Sequence, residues 1–440
     1  ASPFILFIIL CILIYLPPIQ NFLVDKAAVY ASEATGMNIS VGRISLSFPL
    51  NLVVTNVDAA SPHNDTLLSV RRLQVNVQLL PLLKKQVEVD GISLQGATVN
   101  SNDLIHGMKL NGTLGELFIS SHGVALDPET AIVNKVLLKD TDLSLCLNDT
   151  AAADTAASDT TYWKIILQDI DLQNVSFALD MPLDSLSLAA SLDNAILRDG
   201  LIDLHKSAYS LQTFRIENGR VRYDNGKPLA ADSLSSGLDP SHIALTDIGV
   251  KLDSLYYGGR NMKAIISQFV LKERSGVEIV SATGRMVSND KVLRVPSLKL
   301  ETRDSYLELN AAMDWNALDF KDEGLVSARL MADIGKPDMV RFMGSMDEKF
   351  IRQYPSEPLR IRTGIDGDLN KLKLTTLTAE LPGALGLFAR GELTHLTDSL
   401  LRGGDITLEA ETKDLKFVST LAEGIEIPYG TRLEGKFTMA

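Results

Sequence analysis

Val89-Asp-Gly-Ile-Ser-Leu-Gln-Gly-Ala-Thr-Val99 is the stretch on which the fold turns. Its apolar residues Val89, Ile92, Leu94, Ala97 and Val99 are spaced 3, 2, 3, 2. The same spacing recurs at Leu167, Ile170, Leu172, Val175 and Phe177, and again at Leu211, Phe214, Ile216, Gly219 and Val221. A step of two keeps successive side chains on one face of a strand. A step of three flips the face unless a bulge or corner absorbs the extra residue. Gly91, Gly96, Asn174 and Asn218 stand where such corners fall. The pattern predicts bent strands that keep one face apolar around each corner, added serially.

Strict alternation elsewhere supports this. Leu73, Val75, Val77 and Leu79 alternate with Arg72, Gln74, Asn76 and Gln78, the period of a strand with one apolar face. Helical period returns only over 79–85 and 337–346. Gly-x-Leu-x-x-Leu occurs at Gly112, Gly367 and Gly391, each expected to open a strand after a tight turn. No helix is long enough to cover a sheet, so the apolar faces must meet each other or something else. Residues 148–161, NDTAAADTAASDTT, hold no large apolar side chain and predict a flexible polar insertion whose deletion is tolerated.

The composition excludes several functions. With 42 basic and 55 acidic residues in 440, the net charge is −13, which argues against nucleic acid as a partner. Two cysteines, Cys11 and Cys146, rule out a disulfide framework or a Cys-based zinc site. The six histidines are dispersed, and no HExxH, GxSxG, GxGxxG or P-loop occurs. Asp366-Gly-Asp368-Leu-Asn370 begins like a calcium loop but has Lys371 where that loop needs Gly, and predicts a turn. No catalytic residue, metal site or cofactor is expected, and enzyme is the weaker class.

Phe4–Leu16 is a run of thirteen residues with no charge, carrying Phe4, Leu6, Ile8, Leu10, Ile12, Ile14 and Leu16. As a helix it is about 20 Å long, short of a ~30 Å hydrocarbon core. A secretory signal core has this length, but no small-x-small cleavage site follows. A membrane anchor over 1–18 is favoured over a signal peptide or a buried core helix. Pro17-Pro18 ends it. Ile19, Phe22, Leu23, Ala27, Tyr30 and Ala34 then recur at helical spacing, predicting an amphipathic helix over 19–36 that Gly36 closes.

These features carry a resemblance. Pro17-Pro18 and Gln20, Gly42-Arg43-Ile44-Ser45-Leu46, Phe48-Pro49-Leu50, Asp65-Thr66-Leu67-Leu68, Leu80 to Lys85 and Val89 to Val99 follow one another in order. The chain resembles the N-terminal portion of TamB-like proteins of the AsmA-like superfamily, in their Bacteroidetes form. The resemblance implies a mainly β fold: an elongated, serial, taco-like sheet with an apolar groove. It runs through a first section over 37–147 and a continuing one over 162–440, truncated at its C-terminal end. It also implies a single-pass inner-membrane anchor, a periplasmic β body, and carriage of phospholipid or another acyl lipid toward the outer membrane. The outer-membrane partner would be an Omp85-type, TamA-like barrel, reached through a C-terminal region absent here. The lining set expected is Val89, Ile92, Leu94, Val99, Leu167, Ile170, Leu172, Phe177, Leu211, Phe214, Ile216 and Val221. The rival reading is a structural β-solenoid or a chaperone-like module for outer-membrane protein assembly or secretion, with a closed, dry core.

Overall fold

The computed structural model describes residues 26, 28–29, 32, 36–47, 51–61, 65–77, 89–101, 107–125, 129–148, 162–227, 237–321, 323–343, 347–420 and 428–439. The anchor residues Phe4 to Leu16, the helical pattern at 79–85 and most of the 148–161 segment lie outside them. Of the expected amphipathic helix, Lys26, Ala28, Val29 and Ser32 are helical. Gly36 follows at φ 70°, its N–H donating to the Ser32 carbonyl at 2.9 Å. That is the left-handed closure for which glycine is suited. Among the described residues, no helix is long and apolar enough to cross a membrane.

The chain is mainly β and forms two compact units: Ala1–Leu211 with Arg215–Lys227, and Gln212–Phe214 with Pro228–Ala440. In the first, β1 (Asn38–Ser47), β2 (Asn51–Ala60), β3 (Thr66–Val77), β4 (Val89–Asn100), β5 (Met108–Ala125) and β6 (Thr130–Leu147) pair antiparallel in chain order. Then the meander breaks. β7 (Lys164–Met181) lies parallel to β6, in register from Thr130↔Lys164 to Cys146↔Asp180. β8 (Leu186–Asp203) returns antiparallel to β7, and β9 (Ala208–Leu211) and β10 (Thr213–Asp224) both pair with β8.

A single line of residues crosses this sheet where the strands bend. The registers align Gly42, Asn56, Arg71, Gly96, Gly115, Asp140, Asn174 and Asp193 across β1 to β8. Asn56, Gly96, Asp140 and Asn174 have φ of 52°, 61°, 50° and 50°. L-residues rarely adopt this left-handed region, and Gly, Asn and Asp tolerate it best. Polar side chains stitch the line together. Asn174 Nδ2 donates to Asp140 Oδ1 at 2.9 Å, and Asn218 of β10, at φ 52°, donates to Asp193. Six residues away in each strand, Asn134, Gln168 and Asp199 form a second aligned set across β6 to β8. These two lines are the two three-residue steps of the repeat. At β9–β10 the first step falls at Gln212, which separates the two strands.

The second unit is an antiparallel meander: β11 (His242–Gly258), β12 (Asn261–Glu273), β13 (Glu278–Ser288), β14 (Val292–Thr302), β15 (Tyr306–Asp314), β16 (Leu325–Ile334), β17 (Leu359–Asp368), β18 (Lys371–Leu381), β19 (Leu385–Thr394), β20 (Gly403–Thr412) and β21 (Arg432–Met439). A short turn of helix, α1 (Trp315–Leu318), links β15 to β16. α2 (Lys336–Met343) and α3 (Glu348–Gln353) link β16 to β17. α2 meets the helical pattern read at 337–346. α3, too short to show a period, has no counterpart in the sequence reading.

Buried clusters cover the strand ends. At one end Phe350, Tyr354, Leu381, Ala384 and Phe417 pack together, with Leu359 and Leu385 against them. At the other, Ala317, Val326 and Leu369 pack with Met313, Ile365, Leu372 and Leu396. Asp338, 1% exposed, fastens α2 by accepting from the Thr302 and Ser305 hydroxyls and from Arg341.

Two expectations need correction. Gly112, Gly367 and Gly391 do not open strands: the first and last are inside β5 and β19, and Gly367 is near the end of β17. Each stands where a Cβ would run into the backbone carbonyl oxygen of a neighbour, Asp142, Lys371 or Asp405. Close approach of backbones selects the glycine at all three, and at Gly112 and Gly367 a φ of 151° and 138° adds a second demand for it. Nor can the 148–161 segment be removed freely, because β6 and β7 are parallel and a parallel pair requires a crossover of a dozen or more residues.

Candidate functional site: an uncharged apolar sheet face

Residues in register across a ladder point to the same side, so the pairings define faces directly. On one side of the first unit's bend line run Ile44, Val54, Leu73, Leu94, Leu117, Leu138, Leu172 and Ala195. On the other side run Val41, Val57, Val70, Ala97, Leu114, Thr141, Val175 and Leu192. Neither row holds a charge. The bend explains how both lie on one face: Leu94 to Ala97, Leu138 to Thr141 and Leu172 to Val175 each step over it by three residues.

The residues between them face the other way and are polar. One such row is Ser40, Asp58, Ser69, Thr98, Thr113, Asp142, Ser176 and Ser191. Asp169 and Asp171, also off the apolar rows, are both engaged by Arg198, Asp171 at 2.8 Å. Arg215 and Glu217 are exposed.

The second unit repeats this segregation. Leu309, Leu330, Thr363, Leu377, Ala389 and Leu408 share one register row, and Leu307, Ala332, Ile361, Ala379, Leu387 and Ala410 another. None of the positions on this face from β15 to β20 is charged. The opposite face carries cross-strand ion pairs, Arg362–Asp333 at 2.8 Å, Lys371–Glu392 at 3.0 Å and Lys436–Asp405 at 3.2 Å.

Of the expected lining residues, Leu94, Val99, Leu167, Ile170, Leu172, Leu211, Phe214, Ile216 and Val221 are half-buried. Ile92 and Phe177 are exposed. Val89 pairs with Val77. The register brings Ile92, Leu94, Val99, Leu167, Ile170, Leu172 and Phe177 onto one face. The sequence reading missed the residues between them, Leu117, Leu138 and Leu192 among them. Leu114 to Leu117 and Leu192 to Ala195 carry the same step of three, and that signal was available.

The face is partly covered: in the two rows of the first unit Val70, Ala97, Thr141 and Ala195 are buried, and the others are half-buried. Among the described residues, clusters of buried side chains occur only in the second unit. The seven spacings between the eight strands of these rows, at about 4.8 Å, and some twelve residues at about 3.3 Å give an apolar sheet face on the order of 1,300 Å².

Titratable groups lie off this face and serve structure. His242 Nδ1 sits 2.8 Å from Asp239 Oδ2, and this hydrogen bond holds the Asp239 carboxyl below its ordinary pKa. Tyr306 donates to Glu308 at 2.8 Å, which raises the phenol. Asp368 Oδ1 accepts from the backbone N–H of Asn370 and Lys371, so the calcium-like stretch is a turn. Among the described residues no group of three or more His, Cys, Asp or Glu could hold a metal ion. The chain matches no protein-family model and no curated protein sequence.

Proposed function

We propose that the apolar face holds acyl chains, and that the protein is a lipid-carrying bridge of the cell envelope, similar to TamB-like proteins. The observation that supports this reading is the pair of uncharged apolar rows, continuous over eight strands, whose side chains are mostly half-buried rather than sealed in a core. Each buried CH₂ of a lipid tail is worth about 0.8 kcal/mol, so a sixteen-carbon chain gains about 13 kcal/mol by leaving water. Rows of uniform chemistry keep that gain nearly constant along the sheet, so a tail moves from strand to strand without crossing a large barrier. In this reading the sheet is a taco-like groove in the periplasm. Residues 4–16 anchor it in the inner membrane, phospholipid is the cargo, and an Omp85-type barrel receives it.

The test is made at Leu172, on β7 in the row that runs from Ile44 to Ala195. A photo-crosslinking residue at 172 should yield lipid adducts in cells. Leu172→Asp should abolish transport while keeping a near-normal melt, because a carboxylate at an open groove still reaches water. In the rival closed solenoid, the same carboxylate is buried without a partner, costs several kcal/mol and unfolds the domain. A lost transition with no lipid adduct refutes the conduit for this segment.

A further inference from the structure

One lip of the second unit, where β15, β17 and β19 end, carries apolar side chains that its own packing leaves in water. Leu318 ends α1, Phe320 lies just beyond it, and Leu325 opens β16; they are 44%, 63% and 58% exposed. Leu400 and Leu401, in the β19–β20 turn, are 92% and 61% exposed. The openings of β16 and β20 are four ladder spacings apart, about 19 Å.

These turns are built structures. The Asp398 carboxylate accepts from the Leu400 and Leu401 N–H groups at 2.8 and 3.3 Å, holding both leucines at the apex. Phe320 has φ 59°, an outlying conformation for a bulky side chain, held by its N–H to the Ala317 carbonyl at 3.0 Å. Gly324 lets the turn close, since a Cβ there would overlap Ala317.

We propose that this lip docks on a zwitterionic lipid surface, with Phe320, Leu400 and Leu401 inserted among the acyl chains. The inference deepens the lipid-carrying reading by naming where that site meets a bilayer. Three observations select this occupant. The tips are convex and spaced apart, so a rigid protein would need separate matched pockets, whereas an acyl boundary admits any such tip to a depth of about 5–10 Å. The charges beside them are of both signs: Asp319 pairs with Arg260 and Lys321, Asp398 accepts from the backbone, Arg402 donates to the Leu396 carbonyl, and Glu323 is exposed. This mixture makes no single-sign patch to steer a charged polymer or select an anionic headgroup. Finally, Ala317, Leu369 and Leu396 pack against Met313, Val326, Ile365 and Leu372 of the inner face. Ala317 and Leu396, close in sequence to the tips, thus pack onto the apolar face of this unit.

Trp315, at the start of α1, is a built-in reporter, and the chain has only two tryptophans. The full chain carrying Trp163→Phe is mixed with phosphatidylcholine vesicles brominated on the acyl chains. Trp315 emission should be quenched, with little dependence on salt. Phe320→Asn with Leu400→Ser and Leu401→Ser should lower quenching at least about tenfold, although residues 4–16 can still hold the chain on the vesicle. Asn suits the left-handed position, and a Leu400→Ser/Leu401→Ser variant covers the case in which the triple variant melts early. Unquenched Trp315 on vesicle-bound protein, or quenching that persists in both variants, overturns the proposal. Concentration-dependent dimerisation without quenching, abolished by the same substitutions, would give the lip to a second copy and also overturn it. Crosslinking from position 172 is read separately, so failure at the lip and failure of the lipid-carrying reading are distinguishable.

Discussion

Removing residues 149–161 should destroy the β6–β7 pairing, and the size of the effect follows from chain reach. Because Thr130 pairs with Lys164, the chain leaving Leu147 must return the full length of β6. Drawn straight, that is about 56 Å at 3.3 Å per residue. Even with right-angle bends at Asn134 and Asp140 the ends stay about 22 Å apart. Residues 148–163 can span at most about 61 Å, but the deletion leaves a connection that reaches only about 14 Å. No rearrangement of three residues closes that gap. The assay uses the free Cys146, which is in register with Asp180. In a Cys11→Ser background, Asp180→Cys places two thiols on adjacent strands, within the Cα separation that a disulfide accepts. Oxidation should crosslink the intact chain and a variant with an equally long Gly/Ser segment, and should fail in the deletion, which also loses its cooperative melt. A deletion that crosslinks and melts normally would refute the reasoning.

Two further outcomes test the packing. Gly391→Ala should destabilise by about 2–4 kcal/mol in denaturant melts, because its Cβ would overlap the Asp405 carbonyl oxygen and the two strands must separate to admit it. The Asp405 carboxyl is held below its ordinary pKa by the Thr438 hydroxyl and then by Lys436, so its contribution is present above the unfolded carboxylate pKa and lost as pH falls through the lower folded value. Melts of wild type and Asp405→Asn should therefore differ at pH 6 and converge under acid; a constant difference would show that the ionised form is not what matters.

The bends were legible because a step of three in apolar spacing, joined to Gly or Asn, has few other meanings in a strand. Gly96, Asn174 and Asn218 announced themselves in this way. Arg71 and Asp193 did not, because the same bend in a strand of opposite direction needs no positive φ and leaves no mark on residue type. The parallel pairing was invisible for a related reason. β6 and β7 have the same apolar pattern read in either direction, and only the partner's direction separates a hairpin from a crossover. The apolar face itself was readable from alternation, but its extent was not, since Thr141, a polar residue, takes its place in the row through register alone.

The bend line also has a handedness that limits how such a sheet can change in length. Its left-handed residues in β2, β4, β6 and β7 all sit on strands that run the same way, and the strands between them, β3 and β5, run oppositely. Inserting a single antiparallel strand would reverse every strand after it, putting Asn and Gly on strands that do not need them and ordinary residues where φ must be positive. Duplication or loss of a hairpin preserves the phase. Growth by antiparallel strands is therefore quantised, in steps of two strands or about 9.6 Å, and a single strand keeps the phase only through a parallel crossover such as that from β6 to β7.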